Sequence, residues 1–279
     1  MSERILRGLL GAQWAAGNFV CVGLDSDPLK IPDVIHTENT ADKIVAFNMA
    51  IVGATADLVC AYKPNAAFYE AYGSEGFEAL QRTIMGVNDI APDVPVILDA
   101  KRADIGNTNV GYEKAAFDIL GADAITVNPY FGYEALQPFL ERKNKGIFIL
   151  CRTSNPGAGE FQNLLVNGEP LYRIVARHVS EKWNKNGNCI LVVGATCPEE
   201  LAKVRDVVGD MPILIPGIGA QGGDVEKAVK AGKDSQGKGI IINSSRKIIF
   251  ASNGPDFAEA ARQETLKLDN MISQYLLEA

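Results

Sequence analysis

The sequence predicts an α/β fold of the (β/α)₈ TIM-barrel type, with eight parallel strands closed into one sheet. Three observations predict it. Eight short apolar runs recur along the chain, each followed by a segment with helical spacing. The first run ends Gly23-Leu24-Asp25 and leads into a loop with Pro28 and Pro32. An open dinucleotide-binding sheet would carry its glycine fingerprint there. The third is length: 279 residues suit one barrel of about 250 residues with extensions, so residues 1–279 read as a single domain.

The first strand is expected over Phe19 to Asp25. Asn39 or Thr40 then supplies an N-cap for a helix from Ala41 to Asp57. The second strand, Leu58 to Lys63, closes with Ala61-Tyr62-Lys63-Pro64. A helix around Gly76 to Val87 leads to the third strand, Val94 to Lys101, and a further helix covers Val110 to Leu120. The remaining strands read as Ala124–Asn128, Gly146–Cys151, Cys189–Gly194, Pro212–Pro216 and Gly239–Asn243. Helices near 133–143, 170–185, 198–208, 223–231 and 255–277 fill the intervals, while 152–168 and 232–238 read as loops rich in Gly, Asn and Ser.

An apolar content of 47% supports a sizeable core, and a net charge of −7 without a long basic run argues against nucleic acid as the main partner. An anionic substrate therefore needs a local pocket of positive charge. The first 18 residues, with Arg4, Arg7 and only short apolar pieces, do not read as a signal peptide, and no run approaches the roughly 18 apolar residues of a membrane span. The five cysteines lack metal-ligand spacing and fall mostly in apolar runs, as reduced buried thiols do. A cytoplasmic protein is the expectation. His36 and His178 stand alone and are assigned no catalytic role.

Function is expected where a barrel puts it, at the C-terminal ends of the strands. Asp25 ends the first strand, Lys63 the second, and Asp99, Lys101 and Asp104 follow the third. Alternation agrees, since Cys21, Gly23 and Asp25 share a face, as do Val59, Ala61 and Lys63, and as Asp99 and Lys101 should. The same parity points Arg102 away from the pocket. Across the mouth, the seventh strand runs into Pro216-Gly217-Ile218-Gly219-Ala220-Gln221-Gly222-Gly223, a turn whose backbone N–H groups suit an anion. The eighth strand ends Asn243-Ser244-Ser245-Arg246 beside it, and barrels often bind phosphate at these two loops.

A lysine between two carboxylates is held in its ammonium form. A Schiff-base lysine needs the opposite, so Lys101 suits proton donation to a carbanion better than covalent aldolase chemistry. The same ammonium competes with a divalent cation for the two acids, which favours metal-free chemistry.

Together these residues resemble the orotidine 5′-phosphate decarboxylase family, in its longer bacterial subgroup. The likeness is carried by Asp99-x-Lys101-x-x-Asp104 with Thr108, by Gly23-Leu24-Asp25, by Ala61-Tyr62-Lys63-Pro64 and by Thr153-Ser154-Asn155-Pro156-Gly157. It continues through the 216–223 turn to Arg246, covering about residues 20–250. The resemblance implies decarboxylation of orotidine 5′-phosphate to UMP in pyrimidine biosynthesis, without metal or cofactor. It implies that Asp25 and Lys63 bind the ribose, that Asp99 sits beside the substrate carboxylate and that Lys101 protonates C6. Asp104, of the catalytic set, and Thr108 would reach into the site of a partner subunit, making a homodimer. Ser154 would meet the pyrimidine, with the hydroxyl of the adjoining Thr153 as the alternative. Pro216 and Gln221 would line and close the phosphate side, and Arg246 would pair with the 5′-phosphate.

Two rival readings remain. One is a Mg²⁺-dependent sugar-phosphate lyase or aldolase of the same superfamily. The other is a non-catalytic barrel that binds a phosphate ligand, which leaves the acid–lysine–acid set without a use.

Overall fold

The computed structural model describes residues 4–218 and 223–278. Eight strands form one parallel sheet: β1 Val20–Gly23, β2 Val59–Lys63, β3 Ile97–Arg102, β4 Ala124–Val127, β5 Gly146–Arg152, β6 Cys189–Val193, β7 Ile213–Pro216 and β8 Ile240–Ser244. The ladder runs β2-β1-β8-β7-β6-β5-β4-β3. Its two ends meet through backbone bonds from Tyr62 N to Pro95 O (3.0 Å) and from Asp99 N to Pro64 O (2.9 Å), which bring the sheet nearly to a closed barrel.

Two apolar layers follow from strand alternation. Side chains at one parity, such as Val20, Val22, Ile125, Ile147, Leu191, Ile213 and Ile240, face the surrounding helices. Those at the other parity, Cys21, Ala61, Ile97, Ala124, Phe148, Ile190, Leu214 and Ile241, fill the barrel interior. The N-terminal segment completes that interior. Its helix α1, Leu6–Ala15, was not expected from the sequence, yet Leu6 and Leu10 are buried inside the barrel. Arg4 fastens the approach to α1 with a salt bridge to the buried Asp123 (2.7 Å), and Trp14 Nε1 donates to Ile240 O (3.0 Å).

The helices lie close to their expected places. Asn39 rather than Thr40 is the cap of α2, Thr40–Thr55, accepting from Asp42 N at 2.8 Å. The short α3, Ala67–Glu70, precedes α4, Gly73–Ile90. After β3, α5 spans Gly106–Lys114, four residues earlier than expected, and runs on into a π-helical turn, Ala115–Ile119. α6 covers Gly132–Leu140.

The stretch expected to be a plain loop after β5 carries a 3₁₀ turn, Pro156–Ala158, and a one-turn helix α7, Gly159–Gln162. A two-residue antiparallel ribbon then joins Leu165–Val166 to Glu169–Pro170. α8, Leu171–His178, ends in a second π-helical turn, Val179–Trp183. The last helices are α9 Pro198–Val208, α10 Val225–Gly232, α11 Arg246–Ile249 and α12 Phe257–Leu277. Among the described residues no helix is long and apolar enough to cross a membrane, and all five cysteines are free and buried.

Candidate active site

A cavity of about 480 Å³ opens at the C-terminal ends of the strands, in the size range of small-molecule sites. Asp25, Lys63, Asp99 and Lys101 line one side of it, and Pro216, Gly217, Ile218, Ser245 and Arg246 line another. Leu150, Val192 and Leu214 form apolar wall between them. The inner parity of each strand, carried one or two residues past the apolar interior, delivers these side chains.

Asp99 is the hub. Its Oδ2 accepts from Lys63 Nζ at 2.8 Å, and its Oδ1 accepts from Lys101 Nζ at 2.6 Å and from Thr126 Oγ1 at 2.9 Å. Asp99 and Lys63 are 8% and 3% exposed, so both charges are almost fully desolvated. Burial alone would push the Asp99 carboxyl up, but the two lysines outweigh it and hold the acid well below its ordinary range. Burial likewise works against the Lys63 ammonium, and the charges of Asp99 and Asp25 overcome it and raise its pKa. The site is therefore ionised on both sides. The Lys101 side chain remains half exposed and faces the cavity.

Lys101 reaches Asp99 by a route that simple alternation does not describe. Pairing between β3 and β4 passes from Leu98↔Ile125 to Arg102↔Val127, so two extra residues are accommodated on β3. Within this bulge Lys101 adopts φ +48°, a conformation that side-chain-bearing residues rarely take and that costs about 1–3 kcal/mol. The surrounding bonds hold it there. Lys101 N donates to Thr126 Oγ1 at 2.9 Å, and Asp99 is pinned on its other side by Ala66 N to Asp99 O at 3.1 Å. Arg102 points outward as expected, pairing with Glu70 and lying 5.3 Å from the Tyr112 ring centre.

Asp25 lies two residues beyond β1 with its Oδ1 buried and without a hydrogen-bond partner among the described residues. Such an acceptor suits a hydroxyl donor supplied by a ligand. Ser154 follows β5 and lines the same cavity, together with Thr153 and Asn155. The Thr153 hydroxyl is already committed, donating to Asn155 Oδ1 at 2.6 Å and accepting from Gln162 Nε2 at 2.9 Å. Gly194 lets this segment cross the end of β6, since a Cβ there would stand 2.7 Å from the Ser154 Cβ.

On the far side, Gly217 takes φ +103°, which turns the chain out of β7. Arg246 is exposed at the start of α11 and makes no salt bridge among the described residues. Gln221, expected to close this side, lies outside the described residues.

Asp104 and Thr108 are not among the residues lining this cavity. Asp104 is held at the head of α5, where its Oδ1 accepts from Ile105 N (2.7 Å) and its own N–H donates to Asn109 Oδ1 (3.0 Å).

With this geometry in place, comparison with known proteins is decisive. Residues 18–263 match the family described as orotidine 5′-phosphate decarboxylase / HUMPS. The chain belongs to this family. An orotidine 5′-phosphate decarboxylase of Cellvibrio japonicus (strain Ueda107) is 50% identical over 93% of this chain and 95% of its own. One from Herpetosiphon aurantiacus is 54% identical over 88% of both. Among solved structures, Leishmania donovani OMP decarboxylase superposes with a TM-score of 0.82 at 37% identity, covering 96% of this chain and 98% of that one.

Asn65, Thr126, Gln162 and Asn243, four polar residues of this decarboxylase-family site, were not foreseen. Thr126 and Asn243 share the inner parity of β4 and β8, so their alternation with Ala124 and Ile241 was the signal that could have found them. Asn243 is buried and donates to Cys21 O at 3.0 Å, which seals the floor between β8 and β1. Gln162 had no such signal, because it returns to the pocket from α7 within an irregular segment.

Proposed function

We infer that this chain, acting as one barrel domain, decarboxylates orotidine 5′-phosphate to uridine 5′-phosphate in pyrimidine nucleotide synthesis. It is a carboxy-lyase working without metal or cofactor. The observation that carries the reading is the Asp99 carboxylate gripped by Lys63 and Lys101 in the cavity. The reaction leaves electron density at C6 of a pyrimidine that cannot delocalise it. An ammonium fixed where that charge develops stabilises it without reorganisation. Lys101 is that group, and it then donates its proton to C6 as carbon dioxide departs.

Asp99 orients Lys101, and it stands against the departing carboxylate. Asp25 and Lys63 receive the ribose hydroxyls, Ser154 meets the pyrimidine, and the apolar wall of Leu150, Val192 and Leu214 excludes water from the ring. Pro216, Gly217, Gln221 and Arg246 hold the phosphate. Its binding energy, remote from the bond broken, is available to order the site.

The functional unit is a homodimer in which Asp104 and Thr108 serve the partner's cavity. Supporting this, Ile105, Val110, Tyr130 and Phe131, on and beside the two adjoining helices α5 and α6, are all half exposed or more. Apolar side chains left open beside a functional loop favour burial against a second copy. Mixing Lys101→Ala with Asp104→Ala protein should restore roughly a quarter of native activity, because half of the random dimers carry one intact site. A mixture as inactive as its parents would sink the shared-site assignment. A cytoplasmic location fits the reduced cysteines.

The Mg²⁺-dependent lyase fits less well, because both Asp99 oxygens are taken by ammonium groups. The direct test is to follow loss of the orotate absorbance in orotidine 5′-phosphate with EDTA present. Turnover unchanged by chelator is expected. Abolition by EDTA would favour the rival, and no turnover under any condition would favour a non-catalytic binding barrel.

A further inference from the structure

Behind Asp25, on the helix side of the sheet, lies a buried polar cluster that the reaction itself does not use. Ser26, Asn48, Tyr69 and Thr83 are all 0% exposed. Asn48, from the middle of α2, uses its whole amide. Its Oδ1 accepts from Ser26 Oγ at 2.5 Å, and its Nδ2 donates to Tyr69 OH and to Thr83 Oγ1, both at 3.0 Å. The Tyr69 hydroxyl passes the chain on by donating to Leu24 O at 3.0 Å.

The two ends of this network are Leu24 and Ser26, the residues on either side of Asp25. That placement matters because Asp25 has left the strand ladder. The pairing bond nearest to it is Leu24 N to Lys63 O at 3.1 Å. Beyond that point the chain needs another source of rigidity if the Asp25 carboxylate is to stay aimed at the cavity. A buried network supplies it when every member is satisfied, as Asn48 is here. Were the cluster only core filler, apolar side chains of similar shape would serve as well without desolvating an amide and three hydroxyls.

We propose that Asn48 and Tyr69 are positioning residues, holding Asp25 through its two chain neighbours so that it meets the substrate ribose. The proposal rests on the reading of Asp25 as a ribose ligand, and its test separates the two.

The measurement is kcat/KM for orotidine 5′-phosphate and for its analogue lacking the ribose 2′ and 3′ hydroxyls. Wild type, Asp25→Ala, Tyr69→Phe and the double variant are compared, with folding checked by circular dichroism and thermal unfolding. Tyr69→Phe should lower kcat/KM for the natural substrate about tenfold, equivalent to about 1.4 kcal/mol. It should leave the analogue nearly unaffected and add nothing in the Asp25→Ala background. Ser26→Ala, which cuts the other end of the network, should repeat the pattern and stands in if Tyr69→Phe does not fold. Equal losses on both substrates, additive with Asp25→Ala, would overturn the proposal and leave the cluster a purely structural one. If Asp25→Ala itself fails to discriminate the two substrates, the ribose reading falls and this inference with it.

Discussion

Lys63 and Arg246 line the same cavity, yet one is buried in a complete charge network and the other is open to solvent. The difference extends to the strands that bear them. On the β1–β3 side, Asp99 meets two lysines and Thr126 within 2.9 Å, and the backbone of the bulge is fixed from β4 on one side and from the segment following β2 on the other. On the β7–β8 side, Gly217 opens a turn at φ +103° and the Arg246 guanidinium makes no salt bridge among the described residues. The contrast teaches a division of labour. Chemistry that develops charge needs dipoles and ions already in place, because reorganising them during the reaction would raise the barrier. Recognition of a phosphate needs groups still free to be satisfied by the ligand, so that closure is coupled to binding.

The sharpest way to break this contrast is to remove Lys101, the proposed proton donor. Lys101→Ala should lower kcat by roughly 10⁴-fold or more, since it loses both the proton and the counter-charge. The variant should still bind UMP and unfold cooperatively. Residual decarboxylation within a factor of about a hundred of wild type would assign the proton elsewhere.

Asp99→Asn tests the same side through stability. It leaves Lys63 buried and without its main counter-charge, at a cost of about 3–5 kcal/mol in unfolding free energy. The depressed Asp99 pKa fixes the pH dependence. The pair contributes its full stability above the ordinary carboxylate value of about 4, and that contribution is lost as the pH falls through the lower folded value. The gap between wild type and variant, measured by denaturant unfolding, should therefore hold from about pH 5 to neutrality and narrow in strong acid. On the alkaline side the raised Lys63 pKa keeps wild type paired until the pH passes above the usual lysine range. A gap that widened in acid would contradict the ion-pair assignment.

The recognition side should respond more mildly and in a different parameter. If Arg246 holds the phosphate as proposed, Arg246→Ala removes one or two charged hydrogen bonds, worth about 1.5–3 kcal/mol, and should raise KM about 10- to 100-fold. Its stability should match wild type, because that exposed guanidinium makes no salt bridge among the described residues. Loss of stability comparable to that of Asp99→Asn would mean the two sides are not built differently after all.

Much of this organisation was legible in the residues alone. Each barrel strand announced itself as a short apolar run, and a closed parallel sheet puts all their C-terminal ends at one mouth. Asp25, Lys63, Asp99, Lys101, Ser154, Pro216 and Arg246 therefore converge on one cavity although more than 200 residues separate the first from the last. Period-two alternation is a local property, and it was enough to put Arg102 outside.

What the tertiary structure alone decided is non-local. The helix Leu6–Ala15 plugs the barrel because the interior has room for Leu6 and Leu10, which no pattern within that segment announces. Lys101 reaches Asp99 through a bulge at φ +48°, and the register against β4 and the Thr126 hydroxyl hold that bulge, neither of which is encoded in β3. Asn48, mid-helix and 23 residues from Asp25, became visible as its support only when α2, α3 and α4 were packed behind β1. The sequence by itself determined which side chains stand at the mouth, since that depends on strand periodicity. How tightly each is held depends on hydrogen bonds between segments distant in the chain, and those exist only in the folded molecule.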